Sequence, residues 1–479
     1  MFDTGLIEFI NRVAPLENEI ERDMRETISS HLQDLANEWL SNEDPNVGKT
    51  RLLTFGSSIL GVVTSESDLD TVLLMPSSIS REKFFVGFVK LLSVPRDGYI
   101  IESIMAVPDA HVPVLKMIVN SLPVDILPCR IPVRDFRMLI DSGNCLGGRL
   151  NFGLIHYRDL DVPSLLSLNG VRVGRTLIDS VTCGRLVADD EQVGDLTEEG
   201  AVRLKRFQTC LRLIKYWAKR RGIYSNVQGF FGGVTWAILL VHVFLANPED
   251  EQILTKFFQT WNNWKWGVSN PVTLRQLPLE ISQYLNQQSG GIASGFSTPP
   301  IESSLVQSSM WDPSLNETDR KSLMPILTPV LPFMNSTFNV LPTTQRILTD
   351  EFHRASEMHD YEVLCAVHDV YPSVLCLEMT ANTDHLLFVW KSVIESKIRI
   401  LIFHLEKLPG VVCRPFTQSK TCFGIALTFL PVNGETERNI DLNYPVGQFH
   451  STLSATLQSR PDCELLVSQC TLTISLVRQ

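Results

Sequence analysis

Apolar and polar positions along this chain fall into a few distinct rhythms. From Arg51 to Pro76 the sequence RLLTFGSSILGVVTSESDLDTVLLMP opens with an apolar run suited to a buried strand, then breaks at Gly56-Ser57. It has room for a single helical turn and returns through a polar turn into a second strand, DLDTVLLM. Upstream, Glu17 to Ser41 sets Ile20, Met24, Ile28, Leu32, Leu35 and Leu40 at helical spacing, with acids and arginines on the other face, and so predicts a packed amphipathic helix. A helix is also expected through Glu82 to Leu92. Val112 to Val119 and Leu122 to Arg130 read as two apolar strands divided by Asn120-Ser121, a hairpin signal.

Further on, Leu204, Phe207, Leu211, Ile214 and Ala218 make a helical stripe with Lys215 on its margin. Gly232 to Ala246 is the longest apolar run; it is too short to span a bilayer and reads as a buried helix opened by Gly232-Gly233. Asn286 to Ser309, rich in Gln, Ser and Gly with Pro299-Pro300, is expected to be a flexible surface excursion. From Tyr371 onward come a strand (PSVLCLEMT), a long helix (His385 to Lys407), two strands (VVCRPF and CFGIALTFL) and a closing segment ending at Val477, the order of a βαββαβ sandwich.

Composition changes this picture in three ways. A length of 479 residues fits roughly three domains. Acids outnumber bases 53 to 42, so any grip on a nucleic acid must come from a local basic patch and not from overall charge. The ten cysteines form no CxxC pair and no His/Cys cluster, which predicts reduced thiols in an intracellular protein without a structural zinc site or a membrane span.

The chemistry concentrates at the start of the second strand. A strand has a side-chain period of two, so Asp68 and Asp70 share a face while Leu69 points into the core. Two carboxylates held that close repel unless a cation lies between them, and oxygen ligands at this spacing suit Mg²⁺. Gly56 lets the backbone approach a ligand, and Ser57 with the amides after it forms a helix start that attracts phosphate. Asp125 is a lone acid within an apolar strand and needs a partner, either a base such as Lys116 or a metal.

Gly-Ser followed after a short loop by an Asp-X-Asp with hydrophobic flanks resembles the nucleotidyltransferase superfamily. The stretch TFGSSILGVVTSESDLDTVLLMP looks like the version in eukaryotic nuclear poly(A) polymerases, with Ser58 and Ile59 standing where that family has an aromatic and a small or basic residue. LRLIKYWAKRRGIYSNVQGFFGGVTWAILL is similar to the family segment whose lysine, tyrosine and asparagine hold ATP, here Lys215, Tyr224 and Asn226. SLNGVRV and WDPSLNETDRKSLMPILTPVLPFMNSTFNV are likewise similar to family segments, although Leu166 replaces a usual basic residue before the former.

The resemblance implies an α/β multidomain protein: a mixed-sheet nucleotidyltransferase domain, a helical central domain and a C-terminal βαββαβ domain like an RNA-recognition motif. The expected boundaries are 1–47 for an N-terminal helical segment packing with the central domain, 48–180 for the catalytic domain, 181–345 for the central nucleotide-binding domain with a 286–309 insertion, and 346–479 for the RNA-binding domain. Asp68, Asp70 and Asp125 would hold two Mg²⁺ or Mn²⁺ ions and carry catalysis. Phe55, Gly56, Ser57, Lys215, Tyr224, Asn226, Gly233 and Val234 would bind nucleotide, and Asn169 would lie near the RNA primer end. FGIALTF, with Phe423 and Phe429, only loosely matches an RNA-binding strand, and core aromatics are the simpler reading of it.

The implied activity is template-independent addition of AMP from ATP to RNA 3′ ends. A terminal uridylyltransferase and a catalytically silent RNA-binding scaffold are the alternatives. The implied setting is a nuclear monomer working with RNA 3′ ends and 3′-end processing proteins. Two basic groups could hold RNA: Lys215 to Arg221, partly committed to triphosphate, and Lys391, Lys397, Arg399 and Lys407 on the C-terminal helix, on a domain the chemistry does not need.

Overall fold

The computed structural model describes residues 4–478 except 48, 97, 111, 142–144, 147–148, 151–154, 156–158, 189–190, 192, 290–308, 359, 367–370, 420, 433–438 and 461. Most of the expected 286–309 excursion therefore lies outside the described residues. Its first positions finish the helix Leu279–Ser289.

Two helices, α1 (Thr4–Val13) and α2 (Glu19–Glu43), precede a five-stranded mixed sheet. Asn18 caps α2 through a hydrogen bond from the Glu21 amide, and the Glu21 carboxylate accepts from the Asn18 amide. The sheet comprises β1 (Arg51–Thr54), β2 (Leu69–Pro76), β3 (Ile101–Val107), β4 (Val114–Val119) and β5 (Leu122–Ile131), in the order β1-β2-β5-β4-β3. Only β2 and β5 run parallel. Asn120 and Ser121 both take positive φ, 47° and 65°, which makes the β4–β5 turn the tight hairpin their identities suggest.

Helix α2 lies on this sheet through Ile28, Leu32, Leu35, Ala36, Trp39 and Leu40. The predicted stripe needs correcting at its start: Ile20 is 81% and Met24 40% exposed. The first turns of α2 overhang the core, and Arg25 turns inward in their place. It pairs with Glu17 at 3.1 Å and donates to the carbonyls of Ser67 and Asp68 at 2.8 and 3.1 Å. The segment 1–47 is thus divided, since α1 packs Leu6, Phe9 and Ile10 into the central core while α2 belongs to the catalytic one.

Helix α4 (Val162–Cys183), begun after the one-turn α3 (Ser57–Leu60), links the two cores. Leu165, Leu168 and Val171 pack beneath the sheet, and Val173, Leu177 and Val181 enter the central domain. There they meet α5 (Glu198–Arg220), the largely buried α6 (Gly233–Ala246), α7 (Ile253–Asn263) and α8 (Pro342–Glu357). Among the described residues no helix is long and apolar enough to cross a membrane.

The C-terminal part runs β6 (Ser373–Ala381), α9 (Asp384–Glu395), α10 (Ile398–Leu405), β7 (Val411–Ser419), β8 (Cys422–Phe429), α11 (Asn443–Gln458), α12 (Cys463–Gln469) and β9 (Cys470–Arg478). Its antiparallel sheet has the order β9-β6-β8-β7, as a βαββαβ sandwich requires. The single long helix expected over His385 to Lys407 is broken between α9 and α10 at Ser396-Lys397.

The three parts are tied together. Met105 of β3 enters the C-terminal core, and Ser103 Oγ lies 2.8 Å from His385 Nδ1. Buried Glu351 of α8 accepts from Arg221 just after α5 and from Arg414 of β7, each at 2.8 Å.

Candidate active site

The geometry of the site starts from strand register. In the parallel pairing of β2 with β5, Asp70 stands opposite Asp125, and in the antiparallel pairing of β5 with β4, Asp125 stands opposite Lys116. Paired residues share a face, so Asp70, Asp125 and Lys116 form one row across three strands, with Asp68 just ahead of it. Lys116 Nζ reaches Asp125 Oδ2 at 3.1 Å. Of the two partners the sequence left open for Asp125, the base is therefore in place.

Burial and the charges of Asp125 and Asp68 push the Asp70 carboxyl up to about 7. Asp68 is raised for the same reasons, burial first and then Asp125. Burial opposes the charge on Lys116, but the charge and hydrogen bond of Asp125, helped by Asp68 and Asp70, raise its pKa overall.

Gly56 takes φ +65°, and a Cβ there would stand 2.3 Å from Asp70 Oδ2. Only glycine lets the chain turn back beside that carboxylate. The Phe55 amide donates to the Asp70 carbonyl at 3.0 Å, and the Phe55 ring rests on Gly170 of α4, where a Cβ would come within 2.7 Å of it. Ser57 opens α3, whose next residue, Ser58, has a buried hydroxyl without a hydrogen-bond partner.

The central domain supplies the opposite side. Half-buried Lys215 has its amine pushed down to about 8 by burial and by Lys219, against the pull of Asp70 and Asp68. The Tyr224 phenol is pushed up to about 12 by burial and by the same two carboxylates. Asp68 and Asp70 thus act electrostatically on both Lys215 and Tyr224.

Lys219 Nζ sits 5.8 Å from the Tyr224 ring centroid and 3.3 Å from Glu66. A Cβ on Gly233 would lie 2.7 Å from the Tyr224 hydroxyl, so the bare start of α6 is what seats that ring. Half-exposed Asn226 is held through its carbonyl by Asn339 Nδ2 at 3.1 Å, and Val234 is 40% exposed. Lys215 and Lys219 also line a cavity of about 140 Å³ against Thr64, Ser65 and Glu66.

Asn169 is placed differently. It is only 6% exposed, donates to Met334 Sδ at 3.1 Å and accepts from Arg172 at 3.1 Å, under the loop that carries Leu331. Of the basic run Lys215 to Arg221, Arg221 is committed to Glu351. The reading of Phe423 as a core aromatic agrees with its burial at 2% exposure between the C-terminal helices and sheet.

Arg25 was missed, and it is signalled by nothing local. The sequence leaves Lys116 open as the base partner of Asp125 and strand register places it there, and Lys219 lies in the basic run Lys215 to Arg221, one turn from Lys215.

Among the described residues no group of three or more acidic, His or Cys side chains is already close enough to hold a metal ion. The donor set nevertheless fits a hard dication: Asp68, Asp70 and Asp125 are oxygen ligands, burial and then their mutual repulsion raise the Asp68 and Asp70 carboxyls, and Gly56 leaves space beside Asp70. Lys116 takes only Oδ2 of Asp125, so Oδ1 is the oxygen that Asp125 can turn to such an ion.

Comparison with known proteins bears on the family of the chain. Residues 2–181 match the model of the poly(A) polymerase nucleotidyltransferase domain, and residues 206–366 that of the poly(A) polymerase central domain. Nuclear poly(A) polymerase 4 of Arabidopsis thaliana is 27% identical over 93% of this chain and 57% of its own length. Poly(A) polymerase pla1 of Schizosaccharomyces pombe is 28% identical over 87% of this chain and 67% of its own. The chain thus spans between about half and two thirds of the length of the curated relatives it matches. The solved structure of Cid1 poly(U) polymerase bound to MgGTP aligns with 76% of this chain and 98% of that one, at 15% identity and a TM-score of 0.44.

Proposed function

Since the chain belongs to the poly(A) polymerase family, we propose that it adds AMP from ATP to RNA 3′ ends without a template and releases pyrophosphate. The observation that carries this reading is the row Asp70–Asp125–Lys116 on the catalytic sheet, facing Lys215 and Tyr224 of the central domain. The RNA 3′ hydroxyl gives its proton to solvent water and its oxygen bonds to the α-phosphorus of ATP, while the bond from that phosphorus to the bridging oxygen breaks and pyrophosphate leaves with its electron pair. Two divalent ions, Mg²⁺ or Mn²⁺, would supply Lewis-acid charge to the attacking and leaving oxygens.

The chain's own residues would divide the remaining work. Asp68, Asp70 and Asp125 would hold the ions. Lys215, with Lys219 beside it, would neutralise triphosphate charge, and Tyr224 would give the adenine an aromatic face. Asn226 and Val234 would line the base edge, and Phe55, Gly56, Ser57 and Gly233 would let the backbone close on the nucleotide. Lys116 would hold Asp125 in place through Oδ2. Asn169, which would meet the primer end, must first be uncovered from Met334. The relatives' names, nuclear poly(A) polymerases, support a nuclear setting, and we place RNA 3′ ends and 3′-end processing proteins as partners of a monomer.

Incubating the full chain with oligo(A), Mg²⁺ and each nucleoside triphosphate separately tests this. Extension with ATP in clear preference is expected. Preference for UTP would instead identify a terminal uridylyltransferase, and RNA binding without extension by any nucleotide would identify a silent scaffold.

A further inference from the structure

Glu66 stands in the turn that leads into the catalytic acids, just ahead of Ser67 and Asp68, and the reaction above makes no use of it. The turn itself is fixed. The Ser67 amide donates to the Thr64 carbonyl at 2.9 Å, the Thr64 amide donates to Ser67 Oγ at 3.0 Å, and the Ser67 carbonyl accepts from Arg25 at 2.8 Å. With the backbone held in this way, the Glu66 side chain, 80% exposed, is the part that is free to swing.

Its carboxylate reaches across to the central domain. Lys219 Nζ lies 3.3 Å from Glu66 Oε2, and both side chains line the cavity that Lys215, Thr64 and Ser65 also border. Lys219 sits 5.8 Å from the Tyr224 ring centroid, and its charge acts on both Lys215 and Asp68. The ion pair thus closes on the space between the turn before the catalytic acids and the two lysines.

Lys215 and Lys219 are one turn apart on α5, so the two cations repel, and in the free protein Glu66 offsets that repulsion. A polyphosphate supplies the same offset with more charge. Lys219 has three N–H donors, but a phosphate that takes one of them sets its own charge against the carboxylate on another.

We propose that Glu66 is a positioning residue that competes with the β- and γ-phosphates for Lys219, so that nucleotide entry swings Glu66 out and its return helps pyrophosphate leave. It acts on the polyphosphate, the part of the nucleotide that Lys219 meets, and leaves the base to Tyr224 and Asn226. The pair is open to water, so the competition is worth a factor of roughly two to five, the range of an exposed ion pair. The inference rests on the nucleotide-transferring function proposed above and says what limits that site's affinity for triphosphate.

The test is equilibrium binding of MgATP, pyrophosphate and AMP to the full chain without RNA, by isothermal titration calorimetry, in a double-mutant cycle of Glu66→Gln with Lys219→Gln. Glu66→Gln should bind MgATP and pyrophosphate roughly two- to fivefold more tightly and should bind AMP as the parent does. In extension assays the KM for ATP should fall, and inhibition by pyrophosphate should strengthen, by the same factor. With Lys219→Gln already in place, removing the Glu66 charge should bring no gain. The thermal midpoint should hold, since the side chain is exposed.

Unchanged binding of MgATP and pyrophosphate in Glu66→Gln would overturn the inference and leave the pair a surface contact. Weaker binding would overturn it as well, because Glu66 would then be holding Lys219 in place for the phosphates. So would a gain that persists beside Lys219→Gln, which means plain repulsion of the nucleotide without competition for that lysine. Failure of the parent chain to extend any primer counts against the proposed function alone, since binding without RNA still reports on Glu66.

Discussion

At Lys215 a single proton links burial to substrate affinity. Its amine is pushed down to about 8, so in the free protein it carries full charge below that pH and loses it above. kcat/KM for ATP reports the free protein and should therefore fall as pH rises through about 8, whereas Lys215→Arg should keep its charge and flatten that limb. A parent profile that stays level to about pH 9 would remove Lys215 from the triphosphate. Tyr224 makes a separate contribution. Tyr224→Ala should raise the KM for ATP by roughly 5- to 100-fold and narrow the preference for ATP, the loss of one base stack, without moving primer affinity. Weaker primer binding with an unchanged KM for ATP would assign Tyr224 to the RNA path.

Among the elements, the turn from β1 into α3 is the most exacting. Gly56→Ala sets a methyl 2.3 Å from Asp70 Oδ2 at a φ of +65°, so it should displace the carboxylate and abolish extension while leaving the strands paired. Near-parental extension by that variant would mean that Asp70 need not stay where it is. This turn was legible because glycine, serine and alternating acids are local signals. So were the β4–β5 hairpin, the buried α6 and the βαββαβ order.

What escaped sequence reading depends on partners far away in the chain. Strand β3 was not foreseen because its faces serve two neighbours, with Met105 entering the C-terminal core, so Glu102 and Ser103 blur its alternation. Ile20 and Met24 fit the helical period but fall beyond the edge of the sheet, and Arg25 is inward because the Ser67 and Asp68 carbonyls need donors. The row Asp70–Asp125–Lys116 follows from register, which no local pattern shows.

Across the whole molecule, Glu351 is the joint. Burial alone would raise its carboxyl, but hydrogen bonds from Arg221 and Arg414 outweigh that and hold it below the usual range. Its contribution is complete above the unfolded carboxyl value of about 4.3 and is lost as pH falls through the lower folded value. Glu351→Gln should cost about 3–5 kcal/mol, leave the guanidinium groups of Arg221, Arg414 and Arg354 short of a counter-charge, and flatten the acid limb of stability measured by denaturant titration. A loss under about 1 kcal/mol would mean that the arginines find other partners. The same joint alters how the C-terminal domain can be tested: ending the chain near Asp350 cuts α8 and removes Glu351, so truncation there would disturb the central domain as well.

The central claim is that the carboxylate row transfers a nucleotide, and single-turnover AMP addition to oligo(A) by the parent, Asp70→Asn and Asp125→Asn chains tests it most directly. Each substitution removes a proposed metal ligand, so the rate should drop by about a thousandfold or more, roughly 4 kcal/mol; Asp70→Asn also relieves a repulsion and should hold or raise the thermal midpoint, whereas Asp125→Asn also takes the counter-charge from Lys116. Rates within about tenfold of the parent in either folded variant would contradict it.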